Sequence, residues 1–180
     1  MAIKLIALDL DGTLLTSDKK ITTRTKDIIA RAMARGVTVT IATGRMLRSA
    51  VHFARLLASD APVICCNGGY VGRAEGDPVF AHYFDHALVR EFLTFAYERN
   101  WYVNWYSGME IYVPDYREDH FTAYRTTAHF VVNEVGNDYL RYTENVPQLV
   151  LRNLDDGISG YLEVVREHFG DRILPQQNTG

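Results

Sequence analysis

A chain of 180 residues with 47% apolar and 23% charged residues has the make-up of a globular protein, forming one ordinary domain or two small ones. A net charge of -3 without a basic block argues against nucleic acid and anionic membrane as partners, and no apolar run approaches membrane-spanning length. Met1-Ala2-Ile3-Lys4 runs straight into an apolar stretch, so no signal peptide is read, and a cytoplasmic location is expected.

The apolar run from Ile3 to Leu8 predicts a strand buried on both faces of a parallel sheet. It ends in Asp9-Leu10-Asp11-Gly12-Thr13. Thr22 or Thr23 caps a helix to about Arg35, with Ile28, Ile29, Ala32 and Met33 on one stripe and Gly36 as its stop. Val37 to Ala42 reads as a second strand. It leads through Thr43-Gly44-Arg45 into a helix carrying Leu47, Ala50, Val51, Ala54 and Leu57. Val63 to Cys66 is a third strand, closed by Asn67-Gly68-Gly69. This β-α-β-α-β order predicts three parallel strands with right-handed crossovers. Cys65 and Cys66 are adjacent within an apolar run and are expected to be buried free thiols of a reducing compartment.

Tyr70-Val71-Gly72 and Val79 to His82 flank a turn and read as a short hairpin. A helical period returns from Asp85, through Leu88, Phe92, Phe95 and Ala96. Trp101 to Tyr106 then alternates, with Trp101, Val103 and Trp105 on one face and Tyr102, Asn104 and Tyr106 on the other. One face of this strand is core, and its aromatic side chains are alternatively the lining of a substrate pocket. Met109 to Val113 reads as a strand, Arg117 to Thr127 as a helix with a solvated acidic start, and Phe130-Val131-Val132 as ambiguous. Gln148 to Arg152 is a strand, Ile158 to Phe169 a helix, and Arg172 to Pro175 the start of another strand. All aromatic residues except Phe53 and Tyr70 lie at or after Phe80, which places a boundary between substructures near residues 81–86. His82 and His86 flank that boundary and are read as surface or hinge residues rather than metal ligands.

Three strand ends therefore converge on one sheet edge, where open α/β sheets keep their ligands. Asp9 and Asp11 repel each other there and need a cation. Thr43 offers a hydroxyl, the free amides around Gly44 and the following helix start attract anions, and Gly12 permits close backbone approach. A phosphate suits this edge, with a divalent cation between it and the carboxylates. Oxygen ligands favour Mg²⁺. One carboxylate can attack phosphorus in line and the other can serve as general acid and base.

Asp9-Leu10-Asp11-Gly12-Thr13-Leu14 resembles the first motif of the haloacid dehalogenase superfamily. Ala42-Thr43-Gly44-Arg45 and Asn67-Gly68-Gly69 resemble the second motif and following loop of its Cof-type sugar-phosphatase branch. The resemblance implies an α/β fold: a partial doubly wound, Rossmann-like core over residues 1–82 and an inserted α+β cap over residues 83–180. It implies Mg²⁺-dependent hydrolysis of a small phosphorylated metabolite through an aspartyl-phosphate. Asp9 is then the nucleophile and a Mg²⁺ ligand, and Asp11 the general acid/base and a Mg²⁺ ligand through its carbonyl. Leu10, Gly12, Thr43, Gly44, Arg45, Asn67 and Gly68 form the phosphate- or substrate-binding set. An acid at position 11 favours phosphoryl transfer over dehalogenation. A receiver domain would need an aspartate at the end of strand three, where Cys65-Cys66-Asn67 stands instead.

The family's Lys-bearing third motif and paired-acid fourth motif have no counterpart before Gly180, and Asp155, Asp156, Glu163, Glu167 and Asp171 lack their context. The chain is thus expected to be a fragment with impaired or no turnover, or to use a homodimer or a further segment to cover an exposed edge of strand one. The alternative reading is a non-catalytic chain that binds a phosphometabolite or a partner.

Overall fold

The computed structural model describes residues 2–107, 110–118, 121, 131–152 and 158–177. In the first half, β1 (Leu5–Leu8) and β2 (Thr38–Ile41) pair in parallel, Leu5 opposite Thr38 and Leu8 opposite Ile41. Helix α1 (Thr23–Met33) connects them. Its start is fixed by Thr22, whose side chain accepts the Thr25 N–H. Helix α2 (Leu47–Leu56) follows β2 and turns Leu47, Ala50, Val51, Phe53 and Ala54 inward. β3 (Val63–Cys65) meets β2 through one parallel bridge, Ala42 to Ile64. Its main pairing is antiparallel, with β4 (Tyr70–Gly72), which in turn pairs with β5 (Phe80–Ala81). The expected parallel trio is therefore one ladder plus a single bridge.

The expectation that β1 is buried on both faces is corrected. Leu5 is 59% exposed, Ala7 is exposed, and Ile6 and Leu8 are half-buried. Among the described residues β1 has β2 as its only strand neighbour, so its outer edge and outward side chains face solvent.

The second half is built on a four-stranded sheet of order β8-β7-β6-β9. It comprises β6 (Tyr102–Ser107), β7 (Glu110–Val113), β8 (Val132–Glu134) and β9 (Gln148–Arg152). Helix α3 (His86–Glu98) is capped by the Asp85 carboxylate, which accepts the Ala87 and Leu88 N–H groups. Helix α4 (Ile158–Phe169) runs into a short 3₁₀ turn, Gly170–Arg172. No strand follows within residues 173–177, contrary to expectation. Met109, most of the expected helix from Arg117 to Thr127, Phe130, Asp155, Asp156 and Gly180 lie outside the described residues.

Both faces of β6 are buried. Val103 and Trp105 join Val89, Phe92, Phe95, Val165 and Phe169 of α3 and α4 in one apolar cluster. Tyr102 and Tyr106 face the other way, into a cluster that also holds Leu10, Leu14, Met46, Phe53, Ile111, Val113 and Phe121. The inner face of the second sheet thereby shares a core with the first half. The aromatic strand is core on both sides: the Trp105 indole N–H donates to the Tyr142 carbonyl at 2.6 Å, and the Tyr102 hydroxyl to that of Asp115 at 2.7 Å. Burial pushes the Tyr102 phenol up to about 12. Cys65 and Cys66 are buried and free, as expected. The neighbouring Cys66 thiol, together with burial, holds Cys65 far above the ordinary thiol range.

Candidate active site

Past the end of β1 the chain makes a single wide turn over Leu10–Leu14, in which the Leu15 N–H reaches the Leu10 carbonyl at 2.9 Å and the Leu14 N–H the Asp9 carbonyl at 3.2 Å. Asp11 is extended inside this turn and Gly12 has φ +72°. That positive φ favours glycine, while the space where a Cβ would stand is open. Leu10 is fully buried, so its side chain anchors the turn. The two flanking carboxylates diverge. Asp9 is exposed, and its Oδ2 accepts the Thr13 hydroxyl at 3.1 Å. Asp11 is held by two cations.

Arg45 donates from Nε to Asp11 Oδ2 and from Nη2 to Asp11 Oδ1, each at 2.7 Å. Lys19 Nζ adds a third contact, to Oδ1, at 2.8 Å. The Arg45 hydrogen bonds, aided by Lys19 and opposed by partial burial, hold the Asp11 carboxyl down at about 2. Arg45 is itself steadied by Ser49 Oγ, 3.3 Å from Nη1, and by the Phe53 ring 5.3 Å from its guanidinium carbon. Lys19 owes its direction to a compact loop. Thr16 N–H donates to the Lys20 carbonyl at 3.0 Å, the Lys19 N–H to the Thr16 carbonyl at 2.9 Å, and Lys19 takes φ +57°. Both cations thus hold one carboxylate, Asp11, while Asp9 on the same sheet edge is partnered by the Thr13 hydroxyl. Sequence reasoning misses Lys19, because Thr16-Ser17-Asp18-Lys19-Lys20 reads only as a polar segment; a cation eight residues after an acid gives no periodic signal.

The other loops arrive as expected. Thr43 is buried, and its hydroxyl oxygen accepts the Arg45 N–H at 3.2 Å, which leaves the hydroxyl proton for a ligand. The loops after β2 and β3 are tied by main-chain bonds: Thr43 N–H to the Ile64 carbonyl, Cys66 N–H to that of Arg45, and Asn67 N–H to that of Thr43. Cys66 and Asn67 have φ of +51° and +53°, which turns the exposed Asn67 and Gly68 back over Gly44. A Cβ on Gly44 would lie 2.7 Å from Asn67 Oδ1. Helix α2 begins at Leu47 with Met46 as its N-cap, so Thr43-Gly44-Arg45 is a loop before the helix rather than its first turn. Arg45 reaches Asp11, and Arg48, in the first turn of α2, is exposed. His82 and His86 are exposed, and His86 Nδ1 lies 3.5 Å from the Thr143 hydroxyl, away from this site.

Hard oxygen donors are present in the Asp9 carboxylate and the main chain of the Asp11 turn, and they suit a divalent cation in kind. Among the described residues no group of three or more His, Cys, Asp or Glu side chains gathers to hold a metal, and none of the helices is long and apolar enough to cross a membrane.

An exposed carboxylate and a clamped one thus follow the first strand, and a threonine and glycines follow the next two. The sequence profile of the haloacid dehalogenase-like hydrolases matches residues 6–179, and the chain belongs to that family. Pyridoxal phosphate phosphatase YbhA of Escherichia coli is 47% identical over 72 residues, which are 39% of this chain and 26% of that protein. Phosphatase YwpJ of Bacillus subtilis is 30% identical over 111 residues, 62% of this chain and 39% of that protein. The chain therefore aligns with well under half the length of either curated relative. A haloacid dehalogenase-like hydrolase from Bacteroides thetaiotaomicron superposes with a TM-score of 0.84 at 19% identity, over 98% of this chain and 68% of that one, which supports the shared α/β fold.

Proposed function

We propose that the chain carries the site of a phosphoric monoester hydrolase acting on a small phosphorylated metabolite, with residues 1–82 as the catalytic part and 83–180 as the cap. The observation that carries this reading is the inequality of the two acids: Asp9 is exposed and lightly held, whereas Asp11 is gripped by Arg45 and Lys19. An Asp9 oxygen attacks phosphorus, and the P–O bond to the alcohol breaks as the leaving oxygen takes a proton. Water then attacks the aspartyl-phosphate, gives up its proton, and returns Asp9 and free phosphate. Asp11 is the donor and acceptor of those protons. Thr43, the main-chain amides at Gly44 and Gly68 and the Asn67 side chain hold the phosphoryl oxygens, with the Gly12 main chain behind them. Asp9 and the Asp11 carbonyl would hold Mg²⁺, which when bound offsets the negative charge shared by carboxylate and phosphate.

Asp11 as found is fully ionised at neutral pH and has no proton to give. The second reading is a chain that binds phosphate esters without turning them over. Hydrolysis of p-nitrophenyl phosphate with Mg²⁺, beside Asp9→Asn, separates the two. Turnover well above the Asp9→Asn background supports the enzyme. Binding of inorganic phosphate without turnover supports the binder. The absence of both turnover and phosphate binding overturns the proposal.

A further inference from the structure

Of the two cations on Asp11, one is surplus to it. Arg45 alone reaches both carboxylate oxygens, from Nε to Oδ2 and from Nη2 to Oδ1. Its side chain is 10% exposed and is steadied by Ser49 and Phe53. Lys19 Nζ adds a third donor, to an oxygen that is already bonded, and its side chain is 33% exposed. An ammonium carries three protons. Among the described residues Asp11 is the one polar partner of Lys19 Nζ, so two of those protons remain for a ligand while the Asp11 contact stays.

The position of Lys19 is built by its loop. The Thr16 and Lys19 N–H groups close the turn on the Lys20 and Thr16 carbonyls, and the Thr16 hydroxyl oxygen accepts the Lys20 N–H at 3.1 Å. Lys20 Nζ is drawn away to Asp18 Oδ2 at 2.9 Å, and it is Lys19 that is turned to the site. Its φ of +57° is one that a lysine seldom adopts. A costly backbone conformation that delivers a redundant contact points to a use beyond Asp11. Because Arg45 already balances the Asp11 charge, Lys19 leaves that side of the site with one positive charge in excess.

We infer that Lys19 is a specificity-determining residue, which holds an anionic group, a carboxylate or a second phosphate, on the leaving group of the substrate. This rests on the phosphoric-ester reading, in which Asp11 exchanges protons with the leaving oxygen. A cation seated on Asp11 Oδ1 then lies beside the leaving group, whereas Asp9 is partnered by the Thr13 hydroxyl. A compact ammonium suits either anion, without the paired-oxygen geometry that arginine favours. An uncharged leaving group leaves the excess charge unmatched.

The test is calorimetric titration of inorganic phosphate, phospholactate, ethylene glycol bisphosphate and ethylene glycol monophosphate, with Mg²⁺, into the Asp9→Asn chain, which lacks the attacking carboxylate and does not consume the esters. The two anionic esters are expected to bind about tenfold more tightly than the uncharged one. Adding Lys19→Met should bring that ratio to about one, and Lys19→Arg should keep it above about three. Lys20→Met removes the same charge one residue away and should leave the ratio as it was. Preference for one anionic ester alone supports the assignment and identifies the anion. No preference before the Lys19 change, a preference that survives Lys19→Met, or its equal loss in Lys20→Met overturns the assignment; the last would mean a diffuse, salt-screened field instead of a contact. Equal weakening of all four ligands by Lys19→Met also overturns it, since the ammonium would then serve the phosphoryl group. Failure of inorganic phosphate to bind any of these chains overturns the phosphoric-ester reading itself, and this inference with it.

Discussion

Arg45 grips both carboxylate oxygens of Asp11 through two different nitrogens, each at 2.7 Å, across 34 positions of sequence. The pair ties the turn after β1 to the loop after β2, and its geometry is the bidentate one in which arginine surpasses lysine. Its contribution to stability has a defined pH range. The Asp11 carboxyl stands at about 2 in the fold against an ordinary 3.8, with the Arg45 hydrogen bonds as the main cause. A depressed acid stabilises the fold above its unfolded value and loses that stabilisation as pH falls through the folded value. Thermal unfolding should therefore show a gap between wild type and Arg45→Met that is full above about pH 5 and closes as pH falls through about 2. Its size stays below roughly 2.5 kcal/mol, the ceiling set by about 1.4 kcal/mol per tenfold change in proton affinity, because solvent screens this partly exposed pair. A gap that persists undiminished at the acid end would mean that Arg45 acts through packing on Phe53 instead.

Gly44→Ala tests the close approach of two loops. The new methyl would stand 2.7 Å from Asn67 Oδ1, the far end of a side chain that is exposed and can rotate. The expected cost to stability is therefore small, within about 0.5 kcal/mol, but the Asn67 amide must leave its place. Its side-chain NH₂ resonances should shift in an amide NMR spectrum, and inorganic phosphate should bind more weakly. An unmoved Asn67 signal would show that the loops have more room than the structure gives them.

Leu10 is a core residue between two chemical ones. Leu10→Ala should lower unfolding free energy by about 3 kcal/mol in urea, because a fully buried leucine leaves a cavity. The same change should loosen Asp9 and Asp11 together, since Leu10 anchors the turn that bears both. A loss under about 1 kcal/mol would mean that the turn collapses to fill the space.

The outer edge of β1 is apolar and open, with Ile3 at 72% and Leu5 at 59% exposure. Such an edge templates pairing with another strand. Sedimentation velocity at rising concentration should show association of the wild-type chain, and Leu5→Lys should suppress it without changing Tm by more than about 1 °C. Equal association of both proteins would place the contact elsewhere.

Much of this was legible in the residues. Thr22 and Asp85 announce helix starts because a capping oxygen must sit one place before the first turn. The strand alternation from Trp101 to Tyr106 shows in the side-chain pattern, though not that both faces would be buried, which depends on what lies beyond each face. The site loops could be placed because Asp9, Thr43 and Asn67 each follow an apolar run. Lys19 and Ser49 are not legible there. Their contacts come from loop closure and from a helix turn away from the motif, neither of which leaves a local pattern. The apolar run of Ile3 to Leu8 misled for a related reason: hydrophobicity states a need for cover, not whether these residues meet it.

The loops after β2 and β3 are laced to each other through peptide groups alone, Thr43 to Ile64, Cys66 to Arg45 and Asn67 to Thr43. None of those bonds asks for a particular side chain. The rim of the site is therefore a socket framed by main chain, in which the Thr43 hydroxyl, the Arg45 guanidinium and the left-handed Asn67 are the fittings that set its grip.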